Sequence, residues 1–399
     1  MTKFNKTLLA AAVALASTQT FAAGFQLNSQ SATGLGRAMA GDAIIADNAS
    51  VLARNPAAMA LFDEKALSIG ATYADVNVEV TDAQFLGQDL GSIDNAAEGK
   101  FIPNAYYINP VNEQFAFGFA AFSNFGTGAD LTPLTEVEGT ISPVDLLGNT
   151  EVATINLNAS MSYRINDALS LGLGIDLIQG SGKLSRGSLV EVEADGWAVG
   201  GIVGLAYEIN ENHRLGLSYR ISPEMQASGD IMYVGTEFED INIPLADIAQ
   251  LAGYHQLTEK FAIHYTAQWS QWSSFDSITL ENPSSPEQIL KDYHWKDSWF
   301  LSFGATYDID DSWTVRAGIA SDKGVVDEQS SLSIPDSDRI WYSAGFSYNF
   351  SEKSSIDFGY TLVVGEKVHV EETNAILLPI DAYTESGANY FSIQYNYTF

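Results

Sequence analysis

Few side chains in this sequence could do covalent chemistry, and their spacing argues against it. The chain has 399 residues, no cysteine and five histidines. Without thiols, a disulfide-stapled fold and thiolate metal sites are excluded. His213, His255, His264, His294 and His369 show no close ligand spacing, so each reads as a surface or lumen residue and no metal site is expected. A lipid hydrolase would need a Ser–His pair on one strand face with a third group to orient the base. His264 and Thr266 do share a face, yet no Ser/His/Asp set stands out. Gly34-Leu35-Gly36 begins like a dinucleotide loop, but Met39 takes the third glycine position and no strand precedes it. The expectation is a protein that is not an enzyme and needs no cofactor or nucleotide.

What remains is binding and passage, and the elements must be read for that. Lys3 and Lys6, the apolar run Leu8–Ala16 and the small residues around Phe21 make residues 1–22 a secretory signal, cut after Ala22. Its apolar core has about half of the ~20 residues a spanning helix needs. Without Lys3 and Lys6 the chain carries 17 cations against 50 acids. Nucleic acid is therefore excluded as a partner, because binding it needs a cationic surface. The acids cluster at Glu136–Glu138, Glu191–Asp195 and Asp336–Asp338, between the alternating runs.

Those runs have a period of two, the signature of strands with one apolar face. Ala153, Ile155, Leu157, Ala159, Met161, Tyr163 and Ile165 share a face against Thr154, Asn156, Asn158, Ser160, Ser162 and Arg164. Leu169, Leu171, Leu173, Ile175 and Leu177 oppose Ser170, Gly172, Gly174 and Asp176. Six short polar turns alternate with seven longer, acidic or Pro-containing loops, which gives fourteen strands. An even count with short turns at one end is the layout of an outer-membrane barrel. Trp269, Trp299, Tyr307, Trp313, Tyr348 and Phe350 sit at strand ends, where amphipathic rings meet the membrane–water boundary. A β-sandwich also alternates, but its second faces would not be so rich in Gly, Ser, Thr and Asn. The fold expected is all-β: a transmembrane antiparallel β-barrel over residues 64–399.

Residues 23–63 break the pattern. They are rich in Gly, Ala, Ser and Asn without alternation, and read as a compact plug, or hatch, in the barrel lumen. Asn55-Pro56-Ala57 is its sharpest signal: Asn55 suits an N-cap and Pro56 the first helical position.

Together the plug and barrel resemble the FadL family of outer-membrane transporters for long-chain fatty acids and other hydrophobic compounds. The resemblance is carried by Ala23–Met59, by SNFG at Ser123–Gly126, by FAIHY at Phe261–Tyr265 and by SIPDSDRIWYSAG at Ser333–Gly345. It implies a fourteen-stranded barrel in the outer membrane of a Gram-negative bacterium. The family's hatch motif falls on Asn55, Pro56 and Ala57. The kink in its third strand, which opens the wall sideways, falls on Ser123, Asn124, Phe125 and Gly126. The two cations that meet the ligand carboxylate fall on Arg186, after the fifth strand, and Lys291, before the tenth. Read without the resemblance, both cations would simply pair with neighbouring acids. The third loop, residues 187–196, and the fourth are shorter than in the best-known members, whose low-affinity surface groove lies between them.

The function expected is passive uptake of long-chain fatty acids, with aromatic hydrocarbons as the alternative substrate. A hydrolase or an open general porin would be rivals of another class. The partners expected are the hydrophobic ligand, outer-membrane lipid and lipopolysaccharide, and the barrel-assembly machinery that reads a last strand ending in Phe399. The chain is expected to act as a monomer.

Overall fold

Fourteen antiparallel strands close on themselves in the computed structural model, which describes residues 24–283, 285–326, 331–373 and 378–399. The expected signal, residues 1–22, lies outside the described residues. The strands are β1 (Ala66–Phe85), β2 (Lys100–Pro110), β3 (Phe115–Phe122, resuming at Gly126–Asp130), β4 (Asn149–Asn166), β5 (Leu169–Arg186) and β6 (Val190–Asn210). Next come β7 (His213–Ile221 and Glu224–Tyr233), β8 (Thr236–Pro244 and Ile248–Thr258), β9 (Phe261–Ser270 and Ser277–Asn282) and β10 (Ser285–Asp292 and Ser298–Asp308). The last four are β11 (Trp313–Asp322), β12 (Arg339–Ser351), β13 (Ser354–Gly365) and β14 (Pro379–Thr398). Each pairs with the next, and β1 pairs with β14 from Ala66 opposite Thr398 to Phe85 opposite Ile380. Closure removes the unpaired strand edge, which lipid could not hydrogen-bond.

The apolar faces point outward. Leu171, Leu173, Ile175 and Leu177 are exposed, while Ser170 and Asp176 on the same strand are buried in the lumen. Exposed Trp299 lies opposite Trp269 across the β9–β10 ladder, and Trp313 packs on Tyr348 at 4.8 Å, so the rings form bands rather than isolated points. The six short turns stand where the sequence puts them.

The opposite end differs from expectation. Three of its seven connections are short, because the flanking strands run on to Arg186 and Val190, to Tyr233 and Thr236, and to Asn282 and Ser285. Glu191, Glu193 and Asp195 therefore lie within β6, not between strands. Their side chains face water while Val190, Val192 and Ala194 face in, so the charge sits on the wet side of an amphipathic extension.

Residues 24–45 and 48–59 are buried and pack on the inward strand faces. A short helix, α1 (Ala32–Leu35), is capped by Ser31, and two 3-10 turns follow at Ala49–Ala53 and Pro56–Leu61. The small inward residues of the barrel make room for this leading segment. A Cβ on Gly172 would lie 2.2 Å from Ala57 N, and one on Gly204 would lie 2.0 Å from Asn55 Oδ1. The Gly-rich inner faces thus allow backbone to approach backbone.

Candidate functional site

At the end opposite the short turns, β4–β10 and nearby loops enclose a cavity of about 560 Å³, within the usual range for ligand pockets of roughly 300–1,000 Å³. Its walls are mainly apolar, with Val192, Met225, Ile243, Phe275 and Ile334 among them. Arg186 and Lys291, far apart in sequence, both line it.

Their partners differ. The Lys291 ammonium forms an ion pair with Glu372, donates to Ser331 Oγ at 2.6 Å and Ser333 Oγ at 3.2 Å, and lies 5.2 Å from the centre of the Tyr293 ring. Glu372 is held in turn by the Leu332 N–H at 2.9 Å. Arg186 is buried and donates to the Asn149 carbonyl at 2.7 Å, the Ser185 carbonyl at 2.8 Å and Thr150 Oγ1 at 2.5 Å. Among the described residues no carboxylate pairs with it. Lys291 thus has an acid partner on the cavity wall, and Arg186 has none among the described residues. Lys183 lines the cavity as well, and Asp145, Glu151, Asp292 and Glu371 join Glu372 among its acids.

Phe25 and Thr127 also line the cavity, and they connect it to the break in β3. Between Phe122 and Gly126, three residues of β3 face two of β4, Thr154 and Ile155. The β2–β3 ladder runs from Pro110–Ala116 to Ala105–Ala121 and stops there. Beyond it, Lys100–Ala105 still pair with β1 and Gly126–Asp130 with β4, so the wall between β2 and β3 parts. Gly126 opens the resumed part of β3 on the far side of this break.

The leading segment fills that gap. Gln26 forms a β-bridge with Phe125. The Leu27 N–H donates to the Asn124 carbonyl at 2.7 Å, and the Gly126 N–H donates to the Phe25 carbonyl at 2.9 Å. Gln30 Nε2 donates to the Ser123 carbonyl at 3.0 Å and Asn124 Oδ1 at 3.1 Å. Phe25 itself packs against Trp272 at 4.7 Å, Phe275 at 5.2 Å, Phe125 at 5.9 Å and Trp295 at 6.0 Å.

Deeper in the lumen, Asn55 acts as the sequence suggests. Its Oδ1 accepts from the Ala57 N–H at 3.0 Å, and Pro56 opens a 3-10 turn. Its Nδ2 donates to the Ala43 carbonyl at 2.9 Å and the Leu205 carbonyl of β6 at 3.0 Å, which clasps the segment to the wall. Arg54 beside it is buried among amides. Burial is the largest influence on Arg54 and pulls its pKa down to about 10, with Asp42 opposing and Arg220 adding to the drop. It remains a cation at neutral pH.

Arg37 bonds Asp42 and Asp47, each at 2.8 Å, and Arg316 of β11 approaches Asp47 at 3.6 Å. His264 Nε2 lies 2.8 Å from Thr306 Oγ1, while the Thr266 hydroxyl donates to the Met39 carbonyl at 3.1 Å. The two residues thus serve separate contacts. Sequence reasoning missed Glu372, the rings around Phe25, and Gln30 and Arg54. Only Arg54 had a signal: it is one of two cations, with Arg37, in residues 23–63.

A closed barrel with an outward apolar belt, and an inner cavity bearing cations, defines a transmembrane β-barrel of the outer-membrane type. The chain belongs to the family described as "Outer membrane protein transport protein (OMPP1/FadL/TodX)", whose model matches residues 13–399. It is 32% identical to the long-chain fatty acid transport protein of Escherichia coli strain K12, covering 100% of this chain and 99% of that one. It is also 32% identical to outer membrane protein P1 of Haemophilus influenzae strain Rd, with both chains fully covered. Among solved structures it is similar to a Pseudomonas aeruginosa FadL homologue, at TM-score 0.82 and 23% identity over 94% of this chain and 100% of the other. The Ralstonia pickettii toluene transporter TbuX shares the fold at TM-score 0.67 and 18% identity, over 93% of this chain and 99% of the other.

Proposed function

We propose that this chain is an outer-membrane channel for passive uptake of long-chain fatty acids. The observation that carries the reading is the buried Arg186, which pairs with no carboxylate among the described residues, in a mainly apolar cavity that also holds Lys291. A buried cation is costly unless paired, and a ligand carboxylate is the missing anion. The fifteen or so methylene and methyl groups of a sixteen-carbon acid add roughly 12 kcal/mol of gross burial energy at ~0.8 kcal/mol each, before the cost of association. The tail supplies affinity, and the cations choose the head group and its orientation.

In this reading residues 23–63 are the hatch and residues 64–399 the barrel. Phe25 lines the cavity and Gln26 bridges to Phe125, so a ligand that displaces Phe25 also loosens the bridge. The parted wall at Ser123–Gly126 then becomes a sideways exit into the membrane. The path calls for no cofactor and no chemistry on the ligand, and the protein works as a monomer surrounded by outer-membrane lipid and lipopolysaccharide. The last strand, ending in Phe399, is the segment offered to the barrel-assembly machinery.

Equilibrium binding of labelled oleate to the purified protein tests the head-group role. Hydrogen bonds to charged groups contribute about 1.5–3 kcal/mol each. Arg186→Ala with Lys291→Ala should therefore weaken oleate binding by at least roughly 10-fold. Unchanged affinity in the double variant would refute the role.

A further inference from the structure

We infer that Arg54 is a second station for the ligand head group, just inside the β3 break, which the leading segment fills with its own amide oxygens until a carboxylate takes their place. The inference rests on the fatty-acid reading above and extends it to a residue beyond the cavity.

Arg54 is 7% exposed, and no carboxylate among the described residues pairs with it, in a chain with 50 acids. Its Nη2 donates to Asn28 Oδ1 at 3.0 Å and Gln30 Oε1 at 2.5 Å, its Nη1 to Gln268 Oε1 at 3.3 Å, and its Nε has no partner among the described residues. A guanidinium presents a planar fork suited to two carboxylate oxygens. Here two neutral amide oxygens meet one arm of that fork, and charge-assisted bonds to a carboxylate are roughly twice as strong. The amides of Asn28 and Gln30 therefore act as an internal, weaker stand-in for an anion.

The location ties this station to the exit. Gln30 gives its oxygen to Arg54 and its Nε2 to the Ser123 carbonyl and Asn124 Oδ1, so one side chain joins the cation to the break. The Tyr106 hydroxyl holds the Gln30 carbonyl at 2.8 Å. Ser123 Oγ and Asn124 Nδ2 are buried beside it with no hydrogen-bond partner among the described residues. Arg220 lies close by; it is paired to Asp176 and donates to the Ala53 carbonyl at 2.7 Å. Displacing residues 25–30 removes two of the three acceptors of Arg54 and leaves a buried cation exposed to the vacated gap. A ligand carboxylate restores that loss, and a hydroxyl head group does so far less well. Selection for acids would then occur twice along one path, first at Arg186 and Lys291 and again at Arg54.

The test compares Arg54→Gln and Arg54→Lys with the unaltered protein in cells lacking other fatty-acid transporters, scoring uptake of oleate and of oleyl alcohol. Arg54→Gln should cut oleate uptake at least five-fold while oleate affinity of the purified protein falls less than two-fold and alcohol uptake is unchanged. Arg54→Lys should recover part of the oleate uptake. Equal loss for acid and alcohol, or oleate uptake at the unaltered level, would overturn the inference. If Arg54→Gln fails to assemble, judged by heat-modifiable mobility, Gln30→Glu decides. An internal carboxylate on Arg54 should slow oleate uptake at least five-fold, and normal uptake would overturn the inference. Failure of the unaltered protein to bind or take up oleate would instead refute the fatty-acid reading itself.

Discussion

At the scale of single residues, the contrast between Arg186 and Lys291 sets the chemistry. Both stand on one cavity, but Lys291 is already neutralised by Glu372. Glu372 therefore competes with any incoming carboxylate. Glu372→Gln keeps the acceptor for the Leu332 N–H and removes the competing charge. Oleate affinity should rise about five-fold, the equivalent of roughly 1 kcal/mol for a partly exposed ion pair. Calorimetric titration in detergent would show it, and weaker binding would mean that Glu372 orients Lys291 instead of competing for it. The sequence carried Arg186 and Lys291 only through family resemblance. Neither sits in a local pattern that marks a site, and Glu372 lies 81 residues from the lysine it holds. Long-range pairing of this kind leaves no periodic trace.

At the scale of elements, the leading segment and the β3 break form one device. Phe25 is 1% exposed among four aromatic side chains. Truncating a buried Phe costs about 3–5 kcal/mol, and here the loss falls on docking of the segment. Phe25→Ala should speed amide hydrogen exchange at residues 24–30 by on the order of 100-fold, while unchanged exchange would place the docking energy elsewhere. Asp47 makes a second contact of the same segment. Burial would raise its pKa, but its side chain remains 26% open and the guanidiniums of Arg37 and Arg316 prevail, holding it below the ordinary 3.8. A carboxylate with a lowered folded pKa contributes stability that is complete above its ordinary value and lost as pH falls through the lowered one. Protection factors at residues 37–48 should therefore stay level from pH 7 to about 4 and drop below that. Asp47→Asn should already be less protected at pH 7, and equal protection there would remove the pair from the account.

These elements were unequally legible in the sequence. Strict alternation fixes a strand facing lipid on one side and lumen on the other, so β4 and β5 were readable residue by residue. Asn55-Pro56 announced its 3-10 turn because capping is a local event. The short outer connections were not readable, since Val and Glu alternate across residues 190–193 and the acids there pass equally well for a loop. The parting of β2 from β3 depends on which residues find a partner across the sheet, and no single strand records that.

At the scale of the whole molecule, a lipid-facing cylinder encloses the leading segment and a cavity that reaches toward a gap in the wall. Outer-membrane placement follows from the family and the outward apolar belt. Uptake of labelled oleate and of toluene, measured in cells lacking their own channels of this family, tests the whole account most directly. Expression of this chain should restore oleate uptake well above that of toluene, and the double substitution Arg186→Ala, Lys291→Ala should abolish most of the oleate signal. Toluene uptake restored with no gain in oleate, or oleate uptake indifferent to the double substitution, would contradict it.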